Sequence, residues 1–280
     1  MILGIDLGNY AVKLSTMHTF PSKVSKVGSI LKNTTVIVDG ATYHIGEGGY
    51  DTEYRKAKKQ NLVPLFLYAL SLADANSFKV VAGLPVSQYK QDKDLLRELL
   101  IEHHAVAVNG AQKRIAVEDV AVYPEGLVAI YGTDFEGVLI DIGGRTTDCC
   151  EVSGGKVNNP FSLPKGTLNL YSDFIKTLNS RGLDLRLEDA DRILRTGLKI
   201  DGEPLDVLPA MEVFRQFVTE LVGRLQIEYS IRTRDVLLIG GGCDLLHQAI
   251  RNRIPAARTI NNPVFANAIG LERVGRSIWG

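Results

Sequence analysis

The sequence is 280 residues long, about twice the size of a common single domain, which predicts two modest domains or one large α/β unit. Its 32 Lys and Arg residues balance its 32 Asp and Glu residues, so no net positive field draws the chain to a phosphate backbone, and direct DNA binding is not expected. With 45% hydrophobic and 23% charged residues, the composition is that of a globular protein with a large core and excludes a disordered chain.

Targeting signals and cysteine usage indicate a cytoplasmic protein. The longest charge-free apolar stretch, residues 61–73, is shorter than the roughly 20 residues of a membrane-spanning helix and contains a proline. The first residues lack the basic region and cleavage site of a secretory signal. Cys149, Cys150 and Cys243 cannot all pair and lie in or beside apolar segments, which suits core packing in a reducing compartment. A disulfide framework, a zinc site and a membrane location are therefore not expected.

Strand and helix patterns alternate along the first half of the chain. An apolar run over residues 1–5 ends at an Asp-Leu-Gly-Asn turn and resumes over residues 10–15, which predicts two strands joined by a tight turn. The Asp39-Gly40 pair predicts a β-hairpin over 35–44, inside a small insertion at about 20–60. Apolar spacing then predicts a helix over 61–74, a buried strand over 79–84 and a helix over 92–104 that ends in two histidines.

The second half opens with the same plan. An apolar run over 138–142 contains Asp141 and is followed by two glycines and a second apolar run over 147–152. Asp6 and Asp141 are 135 positions apart, about one domain length, which indicates an internal duplication. The remaining patterns predict helices over 167–178, 187–194 and 209–231, a strand over 236–239, and two closing helices, the last with Asn262 as N-cap and Pro263 in its first turn. This alternation predicts an α/β fold of two related halves with helices covering buried sheets.

The residues that carry chemistry lie in the two Asp-x-Gly turns. Each turn places a carboxylate at a strand end beside glycine backbone, whose N–H groups can approach phosphate oxygens. Asp6 and Asp141 are the candidate Mg²⁺ residues because Mg²⁺ is held by one or two carboxylates together with nucleotide phosphates. Lys13 can bring an ammonium group to the phosphates, and the hydroxyls of Thr146 and Thr147 can add hydrogen bonds. One such turn alone is more often a structural hairpin, whereas the matched pair indicates a phosphate site.

A run of three glycines, Gly240 to Gly242, follows the strand predicted over 236–239 and precedes a helix. Glycines at such a place let the backbone lie close to a phosphate or nucleoside, and a plain strand-to-helix turn is the equally open alternative. The run lacks the Gly-Lys-Ser/Thr ending of a Walker A loop, and no Gly-x-Gly-x-x-Gly sequence follows the first strand. P-loop and Rossmann nucleotide sites are therefore disfavoured.

Five motifs, in chain order, resemble those of the actin, heat-shock chaperone and sugar-kinase superfamily. They are the first phosphate motif (3–9), the first connecting helix (120–126), the second phosphate motif (139–148), the adenosine motif (238–242) and the second connecting helix (265–271). Two further features narrow the resemblance to the prokaryotic plasmid-segregation actins, the ParM/StbA group and its archaeal relatives. They are the run over 83–89, which begins Gly83-Leu84-Pro85, and the Pro124-Glu125 pair.

This resemblance implies an actin-like fold of two duplicated ribonuclease H-like domains around a nucleotide cleft. Domain I would cover residues 1–131, including the small insertion at about 20–60. Domain II would cover residues 132–280, with a helical insertion at about 165–235. The closing helix at about 263–278 would pack back on domain I.

The resemblance also implies the ligand and the reaction. The ligand would be ATP, with GTP left open, and Mg²⁺ would lie near Asp6 and Asp141. Glu125 falls where the family places the residue that positions the attacking water, and a solvated charge at a helix start is the alternative. Asp148 would either orient a water near the γ-phosphate or stabilise its hairpin. The implied nucleotide contacts are Gly8, Asn9, Tyr10, Lys13, Gly143, Gly144, Arg145, Thr146, Gly240, Gly241 and Gly242.

The leading hypothesis is an ATPase that polymerises into filaments and segregates plasmid DNA through a DNA-binding adaptor protein. A sugar or small-acid kinase shares the nucleotide site but needs a second substrate site, for which no motif is found. A chaperone-type ATPase needs an additional substrate-binding domain, which is not expected in this sequence. A cell-shape or division actin commonly adds an amphipathic membrane segment, which residues 276–280 are too short to form. The basic run over 55–59 is expected to be a solvated face, with a contact to an acidic filament neighbour as the alternative.

Overall fold

The computed structural model describes residues 1–28, 34–101 and 103–280, so residues 29–33 of the expected insertion and residue 102 of the helix expected over 92–104 lie outside the described residues. The chain divides into two compact units. The first unit comprises Met1–Phe135 and Asn261–Gly280, and the second comprises Glu136–Ile260. Within the described ranges, no helix combines the length and the apolar character that crossing a membrane requires.

Strands and helices alternate along the chain. The strands are β1 (Ile2–Leu7), β2 (Ala11–Leu14), β3 (Thr19–Pro21), β4 (Lys23–Ser25), β5 (Thr34–Val38), β6 (Ala41–Tyr50), β7 (Ser77–Leu84), β8 (His103–Val108), β9 (Ala111–Pro124), β10 (Gly137–Ile142), β11 (Thr147–Ser153), β12 (Lys156–Leu163), β13 (Leu198–Ile200), β14 (Glu203–Leu205), β15 (Val236–Ile239) and β16 (Ala257–Thr259). The helices are α1 (Leu62–Ser71), α2 (Val86–Leu100), α3 (Thr167–Asn179), α4 (Asp189–Thr196), α5 (Glu212–Glu228), α6 (Cys243–Arg251) and α7 (Ala266–Trp279).

The main sheets of the two units share one strand order. The sheet of the first unit has the order β3-β2-β1-β7-β9-β8-β5-β6-β4, and that of the second has the order β12-β11-β10-β15-β16. In both sheets the first three strands form an antiparallel meander. Two later strands then add in parallel on the other side of the first strand. This match over five strands confirms the two related halves that the paired turns predicted.

The first strand of each meander is buried because it carries an almost continuous apolar run. Leu3 and Ile5 of β1 and Val138 and Ile140 of β10 have no exposed surface, as expected for strands of a sheet that is covered on both faces. Each of these strands ends in its Asp-x-Gly turn. The two turns therefore lie at the carboxyl edges of parallel strands, where open α/β sheets commonly bind ligands.

The C-terminal helix α7 belongs to the first unit although it follows the second unit in sequence. It packs against β1 and β7, and its Leu271 and Val274 form a small core with Val81. Gly4 allows this close approach, because a Cβ atom there would overlap the backbone of α7. The glycine of β1 thus has a packing role that is separate from the turn that follows it.

The helix expected over 92–104 is wrong at both ends. The observed helix α2 begins at Val86 and ends at Leu100. Strand β8 begins at His103, so the two histidines lie in a strand and not at a helix end. The signal that was missed is the pair Asn109-Gly110, whose positive φ angles of 50° and 83° form the turn that joins β8 to β9.

Two other expectations at motif ends are corrected. The first connecting helix expected over 120–126 is not a helix, because β9 continues to Pro124 and a short 3₁₀ turn follows at Leu127–Ile130. Asn262 is the N-cap residue of a 3₁₀ turn, with a left-handed φ of 55° and no capping side-chain bond, and helix α7 itself begins at Ala266, three residues later than expected. Pro263 does open that turn, which leads into α7. Strands β3, β4, β8, β9, β12, β13, β14 and β16 were not predicted.

Candidate functional site

The first Asp-x-Gly turn joins β1 to β2. Their antiparallel register places Asp6 opposite Lys13, and Lys13 Nζ donates a hydrogen bond to Asp6 Oδ2 at 2.9 Å. Gly8 closes the turn because a Cβ atom there would lie 2.5 Å from the carbonyl oxygen of Ala11. The same Cβ position is 3.1 Å from Lys13 Nζ, so the ammonium group lies over the glycine backbone. The hairpin thus brings Asp6, Gly8 and Lys13 together.

Asn9 and Tyr10 of this turn contact other parts of the first unit. Asn9 Oδ1 accepts a hydrogen bond from Lys59 Nζ. The ring of Tyr10 stacks on that of Tyr50, with centroids 5.5 Å apart and 24° between the ring planes. This stacking gives Tyr10 a packing role, and its contact with a nucleotide stays a prediction.

The basic run over 55–59 is not a solvated face, which corrects the expectation from sequence. Lys56 is 1% exposed and Lys59 is 8% exposed, whereas Lys58 is exposed. Lys56 Nζ forms an ion pair with Glu125 Oε1 and lies 3.7 Å from Asp6 Oδ1. The run therefore brings two further ammonium groups, those of Lys56 and Lys59, to the first Asp-x-Gly turn.

Glu125 is held at the end of β9 and not at a helix start. Its backbone N–H donates to the carbonyl of Leu84, and Gly126 follows with φ 76° and ψ −67°, the geometry of a γ-turn. The N–H of Gly126 donates to Asn267 Oδ1 at 2.9 Å, which ties this turn to α7. Gly83 leaves room for the Glu125 side chain, because a Cβ atom there would lie 2.7 Å from Glu125 Cγ.

The pKa values of the two carboxylates in this cluster, Asp6 and Glu125, are shifted in opposite directions. Burial alone would raise the pKa of Asp6, but the charges and hydrogen bonds of Lys13 and Lys56 outweigh burial and hold that pKa below its usual value. Burial raises the pKa of Glu125, Lys56 opposes this increase, and the negative charge of Asp6 adds to it. Because 17% of the Glu125 side chain is exposed, water can reach this carboxylate.

The second Asp-x-Gly turn joins β10 to β11, with Asp141 opposite Asp148 in the register. The N–H of Gly143 donates to the carbonyl of Thr146 at 2.9 Å, which closes the turn around Gly144 and Arg145. The carbonyls of Gly143 and Gly144 in turn accept hydrogen bonds from the first two N–H groups of α3. These N–H groups are therefore used to hold the turn in place.

Asp148 makes the contacts of a hairpin-stabilising residue. Its carboxylate accepts hydrogen bonds from Thr146 Oγ1 at 2.9 Å and from Ser162 Oγ. Burial raises the pKa of Asp148, and these two hydrogen bonds oppose the increase. Thr147, expected to offer its hydroxyl to a phosphate, instead donates to the carbonyl of Lys165. A role of Asp148 in orienting water stays a prediction.

The three glycines after β15 pack beside the second turn. Gly240 has a φ of 91°, and a Cβ atom there would lie 2.6 Å from the carbonyl oxygen of Ile142 and would overlap the carboxylate of Asp141. Gly242 donates its N–H to the same carbonyl at 2.9 Å. A Cβ atom on Gly241 would meet nothing within 4 Å. Packing therefore requires Gly240, and the backbone at Gly241 is open to a ligand.

The surroundings of Asp6 bear on its expected role in binding Mg²⁺. Both oxygens of Asp6 face lysine ammonium groups, so Asp6 does not fit as a direct ligand in this arrangement. Among the residues that the structure describes, no group of three or more His, Cys, Asp or Glu side chains could hold a metal ion. The assignment of Asp6 and Asp141 to Mg²⁺ stays a prediction, and no step below depends on it.

Lys56, Lys59 and Asn267 are the contacts that the sequence interpretation missed. Lys56 opens the 3₁₀ turn Lys56–Lys58, and Lys59 follows directly after it. Side chains three positions apart are nearly eclipsed in a 3₁₀ turn, so these two lysines share one side. That spacing, just before the apolar run of α1, was an available signal. Nothing near Asn267 in the sequence indicated that it binds the backbone of Gly126.

Comparison with known proteins identifies the class to which this fold belongs. Residues 4–127 match the family model of the N-terminal domain of actin-like proteins. A 15-stranded ParM filament from Clostridium botulinum is 19% identical, with 99% of each chain covered and a TM-score of 0.82. An archaeal actin homologue in complex with ADP is 17% identical, with 99% of each chain covered and a TM-score of 0.83. No curated protein matches the chain in a sequence search.

The chain therefore has the actin-like fold over its whole length. The resemblance that the five motifs indicated is confirmed at the level of the fold. A non-polymerisable quadruple mutant of the pCBH ParM is similar to the same extent, at 20% identity, 99% of each chain and a TM-score of 0.81.

Proposed function

We propose that this chain binds and hydrolyses ATP and uses the cycle to assemble into, and leave, filaments. The observation that carries the proposal is the charge around the first turn. Three lysine ammonium groups lie at this turn, those of Lys13, Lys56 and Lys59. They outnumber the two carboxylates there, those of Asp6 and Glu125. One excess positive charge in a mostly buried place suits a polyphosphate.

The glycine backbone of the turns would bind phosphate oxygens through its N–H groups, as phosphate-binding turns generally do. Glu125 would accept a hydrogen bond from a water molecule and take its proton as the water oxygen attacks the γ-phosphorus. The bond from that phosphorus to the β–γ bridging oxygen breaks, which leaves ADP and inorganic phosphate. The upward shift of the Glu125 pKa, caused chiefly by burial, supports this assignment, because a carboxylate with a higher pKa is a stronger base.

Assembly would be head to tail, because a heterologous contact that does not close generates an open filament. The similar structures named above support the proposed assembly into filaments. One is a ParM filament, and another is a ParM mutant described as non-polymerisable. Hydrolysis would be slow in the monomer and faster in the polymer, and it would loosen the contacts. A role in plasmid segregation would use a DNA-binding adaptor, since the balanced charge gives no basic stripe for DNA.

Phosphate release and sedimentation, measured with ATP and with ADP, test the proposal. We expect the wild-type chain to release phosphate and to pellet in ATP and not in ADP. A Glu125→Ala variant should still pellet with ATP but release phosphate slowly, because the proton acceptor is lost. A wild-type chain that stays monomeric with ATP and transfers phosphate to a small metabolite would overturn the proposal in favour of a kinase.

A further inference from the structure

Lys56 is a buried cation placed between two carboxylates of the first unit. Its Nζ pairs with Glu125, lies 3.7 Å from Asp6 Oδ1, and donates to the carbonyl of Gly83 at 3.3 Å. A charged side chain with 1% exposure persists only where its charge is paired and its protons are bonded. These three oxygen partners meet that requirement, so the position of the ammonium group is fixed by its surroundings.

The backbone of Lys56 is fixed as well, by two buried polar residues of α2. Gln88 Oε1 accepts a hydrogen bond from the N–H of Lys56 at 2.9 Å, and Gln88 Nε2 donates to the carbonyl of Tyr54 at 2.9 Å. One helical turn further on, Asp92 binds the guanidinium group of Arg55 through both carboxylate oxygens. Gln88 is 6% exposed and Asp92 is fully buried. Their burial is explained if they hold the segment that carries Lys56.

We propose that Lys56 is a positioning residue that orients the carboxylate of Glu125 toward the phosphate turn. The inference rests on the proposed function, because it assigns Glu125 to the attacking water. Lys56 contacts Oε1 of Glu125 and, on the same ammonium group, approaches Asp6 at the start of the turn. One side chain thereby fixes the distance between the turn and the group that accepts the proton.

A simpler role for Lys56 would be to neutralise the buried acid Asp6, with no influence on Glu125. The two roles differ in a double-mutant cycle, because residues that act as a unit are not additive. If Lys56 acts through Glu125, then removing Lys56 has no further effect once Glu125 can no longer accept a proton. If Lys56 only compensates the charge of Asp6, its removal slows the reaction by the same factor in either background.

The experiment measures kcat and KM for phosphate release from ATP, together with binding of a fluorescent ATP analogue, on the full chain. Lys56→Met should lower kcat by about 100-fold, the effect of an error of about 1 Å in placing a catalytic group, in addition to the rise in KM expected from losing one of the three lysine charges at the turn. Lys56→Arg should retain more activity because it keeps the charge. Lys58→Met is the matched control, since Lys58 is the exposed neighbour in the same turn, and it should behave as the wild type.

The cycle is completed with Glu125→Gln and with Lys56→Met/Glu125→Gln. We expect the double variant to have the kcat of Glu125→Gln alone. A double variant whose kcat falls by the product of the two single-variant losses would overturn the inference. An unchanged kcat for Lys56→Met, in a chain whose wild type hydrolyses ATP, would also overturn it. A wild-type chain without ATPase activity would overturn the proposed function and, with it, this inference. If Lys56→Met does not fold, Gln88→Leu replaces it in the same cycle, because it frees the Lys56 backbone and leaves both charges in place.

Discussion

A Gly83→Ala substitution places a methyl group against the side chain of Glu125. The new Cβ atom would lie 2.7 Å from Glu125 Cγ and 2.9 Å from Glu125 Oε1. Carbon atoms make optimal contacts at about 3.5–4.0 Å, so the carboxylate has to retreat by about 1 Å. A misplacement of about 1 Å lowers the rate of a positioned reaction by about 100-fold, which is about 2.7 kcal/mol in the activation free energy.

The same substitution should have little effect on folding. The clash is with a side chain and not with backbone, and alanine is favoured over glycine in a strand by roughly 0.5–1 kcal/mol, which offsets part of the strain. Gly49→Ala is the matched control, because Gly49 is also a strand residue and a Cβ atom there would meet nothing within 4 Å. The assays are phosphate release at saturating ATP and unfolding in urea. A folded Gly83→Ala protein with the kcat of the control would refute the placement of Glu125 at the reaction.

Other substitutions and a labelling experiment test the packing around the site. Asn267→Ala leaves the buried N–H of Gly126 without its acceptor, so urea denaturation should show a loss of about 1–3 kcal/mol, and an unchanged midpoint would contradict the assigned bond. Gly240→Ala introduces a clash at a left-handed φ and should destabilise by about 2 kcal/mol or more, whereas Gly241→Ala should change stability by less than about 0.5 kcal/mol; equal losses would count against this geometry. Burial raises the pKa of the Cys150 thiol to about 12, and all three cysteines are buried. They should resist a thiol reagent at about pH 8 until denaturant is added, because only the thiolate reacts, and rapid labelling of the native protein would disagree.

Turn chemistry shows what the sequence could and could not predict about the fold. The Asp39-Gly40 pair predicted a hairpin, which the structure confirms. The pairs Asn109-Gly110 and Asp201-Gly202 have the same pattern of two positive φ angles, yet their hairpins were missed. In the first case, neighbouring leucines with helical spacing outweighed the turn signal. The Asp201-Gly202 turn lies between strands of only three residues, which are too short to show an alternation of apolar and polar residues.

The candidate site was predictable where it depends on local sequence and not where it depends on distant partners. Asp6 and Lys13 face each other because a tight turn fixes their register. Lys56 is buried because it pairs with Glu125, which is 69 positions away in the chain. A local pattern of basic residues cannot show that partner, and an isolated run of charges is ordinarily solvated. The helix expected around Glu125 failed for a similar reason, since pairing of β9 with β7 decides the backbone up to Pro124.

Hydrogen exchange of the amides in the two Asp-x-Gly turns, with and without ATP and Mg²⁺, tests the central claim most directly. The account predicts that ATP slows exchange at residues 8–10 and at residues 144–146, because these N–H groups would bind phosphate. The Asp39-Gly40 turn serves as the internal control, since it is a glycine turn outside the site and should exchange at the same rate in both conditions. Exchange that stays unchanged in both Asp-x-Gly turns at saturating ATP would contradict the account.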